Sequence, residues 1–492
     1  MKKILLLLGG SVLLHTAVLA QTQPHYNRCG MQAYHNEMMA QDPSYAAKLA
    51  AQRNSLQAAA DYYMQLERSG ETERTTAVSA VPIIFHILVD SAQFNLLGGT
   101  AGIIQRCDSQ IAVLNRDYNR QNPDSTKIPS SWKSLYGNVG IHFGLARIDP
   151  SGNCSPGYEV KIISGSTTTD GGFSSINQVK SASTGLAAWD VSKYYNVWCT
   201  NFLGGLNGLL GITQPKSDGA TSTKMGVVIL FNTLGCTAQD GVVPPGTGGT
   251  AGWPFPYNLG RTLTHETGHF FEIWHPWGDD GGACPWTPST GGDDGLSDTP
   301  PEADNVYGNP TYTVPGGTIT DACMDSSTVN MQPIGIACLS YMDYTDDDAM
   351  YMFTTMQAAA MASMVLVPAT GVTGATQIGT VGENYNLTQN PSLLVACTST
   401  STGVAPSPTE LNSSLSVYPN PTNGAVNVSI NSQAEILNNI TVFNLLGQQV
   451  AAVKGVPGLD YYTLSLSGVS KGIYFVKFDF ASGSVTRKIV LQ

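Results

Sequence analysis

Three histidines and two glutamates are concentrated in a short stretch, RTLTHETGHFFEIWH, at residues 261–275. His265 and His269 are four residues apart, so a helix would place both imidazoles on one face, where they can bind the same metal ion. Glu266 is rotated about 100° from His265, which leaves its carboxylate beside the metal, in position to deprotonate a water molecule. His275 comes six residues after His269, so the chain must leave the helix before this histidine can reach the same ion.

Three neutral imidazoles leave one coordination position of zinc for water, which is typical of catalytic rather than structural zinc sites. The motif therefore predicts a Zn²⁺ site formed by His265, His269 and His275, with Glu266 as the catalytic base of a hydrolase. A downstream glutamate, Glu302, is a weaker candidate for the third ligand because it follows two prolines and lacks a helical motif around it.

Glu272 lies at the point where the chain must turn back, a position that favours glycine. A left-handed backbone there costs a glutamate about 1–2 kcal/mol, which a folded domain can absorb. Two geometries remain open: Glu272 adopts the left-handed turn, or the helix continues further before the chain bends. Neither removes a ligand, so the site is predicted to function.

The composition indicates an exported protein of about three domains. Its 492 residues carry a formal net charge of -12, which argues against a nucleic-acid or anionic-membrane partner, and only 12% of them are charged. Residues 1–20 combine two lysines, an apolar run and small residues before Gln21, as a secretory signal peptide does. No later stretch is long and apolar enough for a transmembrane anchor.

Strand and helix patterns alternate before the histidine motif, which predicts an α+β fold with a mixed twisted sheet and a long active-site helix. VPIIFHILVD, at 81–90, reads as a buried strand. His86 and His142 lie in strand patterns and are predicted to be core residues. A helical pattern has one apolar face, formed by Ile103, Cys107, Ile111, Leu114 and Tyr118.

Shifts in composition divide the chain into five segments. Residues 369–410 are rich in threonine, serine and glycine, as a linker is, and short alternating runs separated by turns follow them. The predicted segments are a signal peptide (1–20), a propeptide (21–76), a catalytic domain (77–368), a linker (369–410) and a small C-terminal β-sandwich (411–492).

The histidine stretch resembles the extended zinc motif of the metzincin metalloproteases, and LSYMDYTDDDAMYMFT resembles the methionine turn of their pappalysin/ulilysin group. The resemblance covers roughly residues 77–367. It implies that Met342 lies beneath the zinc and that Tyr344 stabilises the tetrahedral intermediate. It also implies that Asp347 lies at the base of the S1′ pocket, so that cleavage occurs on the amino side of Arg or Lys. A solvated acidic loop is the alternative for Asp347.

NRCGM, at 27–31, resembles the propeptide motif of latent members of this group. It implies that the Cys29 thiolate occupies the open position of zinc and silences the enzyme. The chain has nine cysteines, so this role would leave eight available to pair; an unpaired or intermolecular thiol is the alternative. If Asp347 selects basic residues, Arg68 and Arg74 are candidate self-processing sites.

The resemblance also implies calcium near the cleft and a set of disulfides. The candidate calcium ligands are aspartates among glycines: Asp279, Asp280, Asp293, Asp294 and Asp298. Ordinary surface loops are the alternative. Ala349 stands where the group often has cysteine, so the disulfide arrangement stays open, with two of Cys284, Cys323 and Cys338 expected to pair.

The C-terminal segment resembles the sorting domain of the type IX secretion system, through VYPNPTNG, VFNLLGQQV, KGIYFVKF and the terminal RKIVLQ. The resemblance implies that the secretion machinery is a partner and that the protein is secreted or displayed on the cell surface. A general carbohydrate- or protein-binding sandwich is the alternative.

Two functions follow from these features. The first is a secreted zinc endopeptidase that hydrolyses protein or peptide substrates and is made as a latent zymogen. The second is a catalytically inactive surface adhesin on the same fold. The presence of all three histidines, Glu266 and Tyr344 favours the enzyme.

Overall fold

The structure is a computed structural model. It describes residues 26–69, 80–163, 172–215, 223–236, 256–279, 293–310, 323, 335–368, 383–395, 415–418, 420–422, 424–430, 437–455, 461–466, 468–480 and 483–492. The predicted signal peptide, most of the predicted linker, Arg74, Asp280 and Cys284 lie outside these residues.

The N-terminal segment, described from residue 26 to residue 69, supplies strand β1 (Asn27–Cys29) and helices α1 (Met31–Gln41) and α2 (Tyr45–Ser69). Alanine favours the helical conformation of α2, and the buried face of this helix includes Leu49, Leu56 and Tyr63 at a seven-residue spacing. These three side chains join the main core of the protein. The described part of the segment therefore folds onto the rest of the chain.

The following elements build the sheet and the helices around it. They are β2 (Ala80–Val89), α3 (Ser91–Leu96), α4 (Gly99–Asp117), β3 (His142–Leu145), β4 (Tyr158–Ile162), α5 (Ile176–Val179), β5 (Tyr195–Thr200), β6 (Leu209–Gln214), β7 (Gly226–Leu230), α6 (Arg261–Phe270) and α7 (Thr355–Leu366).

The main sheet has the strand order β1-β6-β7-β5-β2-β3, and β4 also pairs with β2. Its pairs are parallel except for β6 with β7. All ten residues of β2 are buried, as in a central strand covered on both faces. His86 is one of them and hydrogen-bonds to Asn196, which confirms it as a core residue. The predicted mixed sheet is confirmed.

Helix α6 packs against β6 and β7, and α4 packs against α6 and β3. The buried face of α4 includes Ile103, Ile111 and Leu114, as the sequence predicts. Cys107 on this helix and Cys199 on β5 are buried free thiols. The expectation that eight cysteines are available to pair was therefore wrong: these two side chains fill the core.

Helix α7 begins with a capping box: the Thr354 side chain accepts a hydrogen bond from the Gln357 N–H, and the Gln357 side chain accepts one from the Thr354 N–H. Asp298 fixes the same end, because its carboxylate accepts from the Thr354 hydroxyl at 2.7 Å and from the Met356 N–H at 2.8 Å. Helix α2 packs along α7.

The C-terminal part forms two antiparallel sheets with a common hydrophobic core. Their strands are β8 (Leu415–Tyr418), β9 (Ala425–Ile430), β10 (Leu437–Asn444), β11 (Gln449–Lys454), β12 (Tyr461–Ser465), β13 (Gly472–Phe480) and β14 (Ser484–Leu491). The order is β11-β10-β13-β14 in one sheet and β12-β9-β8 in the other, which confirms the β-sandwich. Within the described residues, no helix has the length and apolar character needed to cross a membrane.

Candidate metal centre

Helix α6 places two of the predicted ligands. All ten of its residues are buried, and His265 and His269 lie on one face, with their Nε2 atoms 3.1 Å apart. His275 follows the end of the helix, and its Nε2 is 3.0 Å from that of His269 and 3.2 Å from that of His265. The structure therefore brings all three predicted histidines together.

The hydrogen-bond partner of Nδ1 determines the tautomer of each histidine ring. The Nδ1 of His265 lies 2.7 Å from the Tyr341 carbonyl, and that of His269 lies 2.7 Å from the Ile273 carbonyl. A carbonyl can only accept, so each Nδ1 carries the proton and each Nε2 presents a lone pair. Three lone pairs that face one another need a cation between them, so these residues fit a zinc ion.

His275 is oriented by Asp279, whose carboxylate lies 2.6 Å from its Nδ1. Asp279 has a positive φ of 57°, so the backbone turns sharply at this residue. Asp279 is one of the candidate calcium ligands; its Oδ1 supports a predicted zinc ligand here, as carboxylates behind metal-binding histidines commonly do. The signal in the sequence was the four-residue spacing between the two residues.

The thiol of Cys29 completes a cluster of four potential ligands. Its Sγ and one nitrogen from each of His265, His269 and His275 all lie within 4.8 Å of one another. Burial raises the pKa of the Cys29 thiol well above its usual value and lowers the pKa of His265 and His269 well below theirs. The lowered pKa values of the two histidines favour the neutral imidazoles that a metal requires.

The Glu266 side chain points towards strand β6, beside the cluster of four potential ligands. It is fully buried, and its Oε2 accepts a hydrogen bond from the Thr213 hydroxyl of β6 at 2.7 Å. Burial raises the pKa of Glu266 to about 8, while the hydrogen bonds from Thr213 and Cys29 lower it. Gly211 leaves space for this carboxylate, because a Cβ on residue 211 would come within 2.6 Å of it. A carboxyl group with this pKa can take up and release protons near neutral pH.

Glu272 adopts the left-handed conformation that favours glycine, with φ 65°. Helix α6 ends at Phe270, so the alternative of a longer helix is wrong. The N–H of Ile273 donates to the Gly268 carbonyl at 3.0 Å, which closes the turn and directs the chain towards His275. The Glu272 carboxylate accepts a hydrogen bond from the Gln52 amide of α2, through a contact that the sequence did not indicate.

The turn around Met342 lies against α6. Met342 is fully buried, and its Sδ would be 2.3 Å from a Cβ on residue 268, so Gly268 makes this close packing possible. The Tyr344 ring lies 4.9 Å from the His275 ring, measured between centroids. Its hydroxyl donates to the Cys29 carbonyl at 3.1 Å. Both residues therefore adjoin the histidines.

Asp347 is a buried carboxylate rather than part of a solvated loop. Its Oδ1 accepts from the Arg28 guanidinium at 2.8 Å, and its Oδ2 accepts from the Leu259 N–H at 2.8 Å. The Arg28 Nη1 also donates to the Thr345 carbonyl at 3.0 Å, and its guanidinium lies over the Tyr257 ring. Arg28 was not identified from the sequence. Its position directly before Cys29, with a charge opposite to that of Asp347, was the available signal.

The remaining aspartates described near the cleft bond to the protein. Asp294 accepts from the Leu296 N–H at 3.0 Å and from the Gln357 amide at 3.2 Å, and Asp298 holds the start of α7. Calcium binding stays a prediction. The pairing among Cys284, Cys323 and Cys338 also stays a prediction, because Cys284 lies outside the described residues.

Two family models match the chain. One is described as pregnancy-associated plasma protein-A and matches residues 251–366; the other is described as a secretion system C-terminal sorting domain and matches residues 416–492. Extracellular metalloprotease 1 of Coccidioides posadasii is 27% identical over 307 residues, which cover 61% of this chain and 81% of that protein.

Two solved structures from Tannerella forsythia are also similar. A variant of promirolysin is 27% identical, with a TM-score of 0.53, over 74% of this chain and 98% of that chain. Mature mirolysin in complex with a cleaved peptide is 31% identical, with a TM-score of 0.47, over 58% of this chain and 92% of that chain.

The three-histidine centre on this fold defines a zinc metalloendopeptidase of the metzincin type. The chain belongs to the pappalysin family of these proteases and has a type IX sorting domain at its C-terminus. It is therefore an enzyme rather than an inactive adhesin, and it is secreted or displayed at the cell surface.

Proposed function

We propose that His265, His269 and His275 hold the catalytic zinc and that Glu266 is the general base. The observation that carries this proposal is the convergence of three Nε2 atoms 3.0–3.2 Å apart, with each Nδ1 bound to another group. Zinc, when bound, increases the acidity of water and polarises a carbonyl group.

Glu266 accepts the proton of the attacking water and delivers it to the leaving amine. The Thr213 hydroxyl fixes one carboxylate oxygen, and Gly211 leaves the space that the carboxylate needs. The Tyr344 hydroxyl already donates to a backbone carbonyl beside the histidines, that of Cys29. In the same way it donates to the carbonyl oxygen of a substrate and stabilises the oxyanion.

The N-terminal segment keeps the enzyme latent in this proposal. β1 pairs with the edge of β6, so that Cys29 lies opposite Gly211, at the position a substrate strand would take. Cys29 supplies the fourth ligand, and Arg28 fills the Asp347 pocket. The segment therefore blocks the cleft at two adjacent residues.

The direction of β1 bears on specificity. β1 runs parallel to β6, and Arg28, in the pocket, precedes Cys29, at the metal centre. A substrate running in this direction would be cut after an Arg in the pocket; a substrate running in the opposite direction would be cut before it. We propose the opposite direction and therefore cleavage on the amino side of Arg or Lys, with Asp347 as the recognition residue.

Export and processing complete the proposal. Residues 1–20 direct export, 21–76 form the propeptide, 77–368 form the catalytic domain, 369–410 link it to the sandwich, and 411–492 engage the type IX secretion machinery. Cleavage before Arg68 would release β1, α1 and most of α2, and cleavage before Arg74 would release all three elements. An N-terminus at neither residue in the active enzyme would contradict self-processing there.

The test is proteolysis of a denatured protein substrate by the processed enzyme, with its zinc content measured separately. We expect wild-type enzyme to contain about one zinc per chain and to cleave, and Glu266→Ala to retain zinc and lose cleavage by a factor of about 10²–10⁴. Asp190→Asn, at an exposed surface residue, is the matched control for loss of one charge. Activity in Glu266→Ala equal to wild type would overturn the role of this residue.

A further inference from the structure

A second binding surface lies on the other side of the histidines from Asp347. It consists of the Glu272 carboxylate, the Trp274 ring and the Gly278 carbonyl, and is called the Glu272 surface below. In the latent form two neighbouring residues of α2 cover it. Gln52 donates its amide to Glu272 and accepts from the Trp274 Nε1 at 3.1 Å. Arg53 places its guanidinium 5.4 Å from the Trp274 ring centre.

The chemistry of this surface suits a cation. A carboxylate, the face of an indole ring and a carbonyl oxygen all attract positive charge. Arg53 shows that a guanidinium fits there: only 8% of the residue is exposed, and its Nη1 points at the Gly278 carbonyl from 3.5 Å. The Gln52 amide is the neutral donor that satisfies Glu272 meanwhile.

The location of the surface follows from the register of β1 on β6. Asn27 is opposite Leu209 and Cys29 is opposite Gly211. Strand β6 therefore runs from the Asp347 pocket, which Arg28 fills, past the metal centre and towards Pro215. Pro215, Glu272 and Trp274 line one small cavity beside His269. A substrate that runs opposite to β1 therefore has its amino-terminal residues at this end.

We infer that, once the N-terminal segment has been removed, the Glu272 surface binds a Lys or Arg side chain of the substrate on the amino side of the cleaved bond. With a rise of about 3.3 Å per residue, the four residues from Gly211 to Pro215 place this side chain about two to four residues before the cleaved bond. Glu272 is thus a specificity-determining residue. The inference rests on the proposed function, because it needs a substrate that runs opposite to β1.

The test uses the processed enzyme and a set of peptides with one Arg after the cleaved bond. Lys, Ala or Glu occupies the second, third or fourth position before that bond, and kcat/KM is measured for each. For wild-type enzyme we expect kcat/KM to be about tenfold higher with Lys than with Glu at one or more of these positions. Glu272→Gln should reduce this ratio at least about threefold, and Glu272→Lys should reverse it. The ratio is independent of the fraction of enzyme that folds.

Asp190→Asn is the control, and its Lys-to-Glu ratio should match that of wild type, since Asp190 is exposed outside the cleft elements. A ratio that is the same in wild type, Glu272→Gln and Glu272→Lys overturns the inference. Cleavage before Arg with no preference at any of the three positions also overturns it and leaves the proposed function intact. Failure to cleave any peptide before Arg contradicts the proposed specificity itself, a distinct result.

Discussion

Asp347 and Glu272 are two carboxylates on opposite sides of one metal centre, and the N-terminal segment contacts both. Asp347 is enclosed: its oxygens accept from backbone N–H groups of fixed position and from the Arg28 guanidinium. Glu272 sits on a left-handed turn and accepts from a flexible, part-buried side chain, Gln52. An enclosed, pre-oriented carboxylate distinguishes strongly between ligands, whereas one that becomes exposed when α2 leaves distinguishes weakly.

Replacement of Asp347 should have the largest effect on the mature enzyme. Asp347→Asn removes a buried charge that would face the substrate cation, which costs about 3–5 kcal/mol. We therefore expect kcat/KM for a peptide with Arg after the cleaved bond to fall by about 100-fold or more. The kcat/KM for a peptide with Leu at that position should change little.

Asp348→Asn is the matched control for Asp347→Asn, because it removes a neighbouring half-buried carboxylate that does not contact Arg28. Its preference for Arg should equal that of wild type. Equal losses for the Arg and Leu peptides in Asp347→Asn would show that the residue supports the fold rather than recognition.

Replacement of Arg28 should weaken latency. Arg28→Ala leaves Asp347 with its backbone donors but without its ion partner, so the N-terminal segment should lose about 2–3 kcal/mol of binding to the catalytic part. We expect uncleaved Arg28→Ala proenzyme to hydrolyse a small peptide faster than wild-type proenzyme, and Arg28→Lys to be intermediate. A variant as inactive as wild type would indicate that Cys29 suffices for latency.

A smaller effect is expected at the other contact. Gln52→Leu leaves the Glu272 carboxylate without its amide donor, at a cost of about 1–3 kcal/mol. The proenzyme should become active sooner under limited proteolysis than wild type, though later than Arg28→Ala. Gln41→Leu, on the exposed end of α1, is the control. If Gln52→Leu activates before Arg28→Ala, the ranking of the two contacts is reversed.

The smallest effect concerns the turn itself. Glu272→Gly in the mature enzyme relieves a left-handed glutamate, so it should raise the free energy of unfolding by about 1 kcal/mol. Thermal unfolding of zinc-loaded enzyme measures this, with an increase in Tm of a few degrees expected. A decrease would mean that the Glu272 side chain stabilises the mature form through contacts of its own.

Local geometry explains what the sequence could predict. The spacing of His265 and His269 determines their common face in any helix, and the strand patterns of the sheet and the sandwich are short-range signals. The resemblance to known proteases provided Met342, Tyr344 and Asp347, whose positions depend on the whole fold.

Long-range contacts explain what could not be predicted from the sequence. Arg28 and Asp347 are 319 residues apart, and Gln52 and Glu272 are 220 apart, so no local pattern connects them. Asp279 was a candidate calcium ligand because an aspartate among glycines resembles a calcium loop, whereas its contact with His275 is visible only in the structure. The turn at Glu272 stayed open because sequence does not determine where a helix ends to within a residue.

The most direct measurement is the direction of cleavage relative to the basic residue. Processed enzyme would digest a denatured protein mixture, and mass spectrometry would identify both new termini at each cut. We expect Arg and Lys at the new N-termini, with the enrichment lost in Asp347→Asn. Arg and Lys at the new C-termini would contradict the proposed direction, because a substrate would then run parallel to β6, as β1 does.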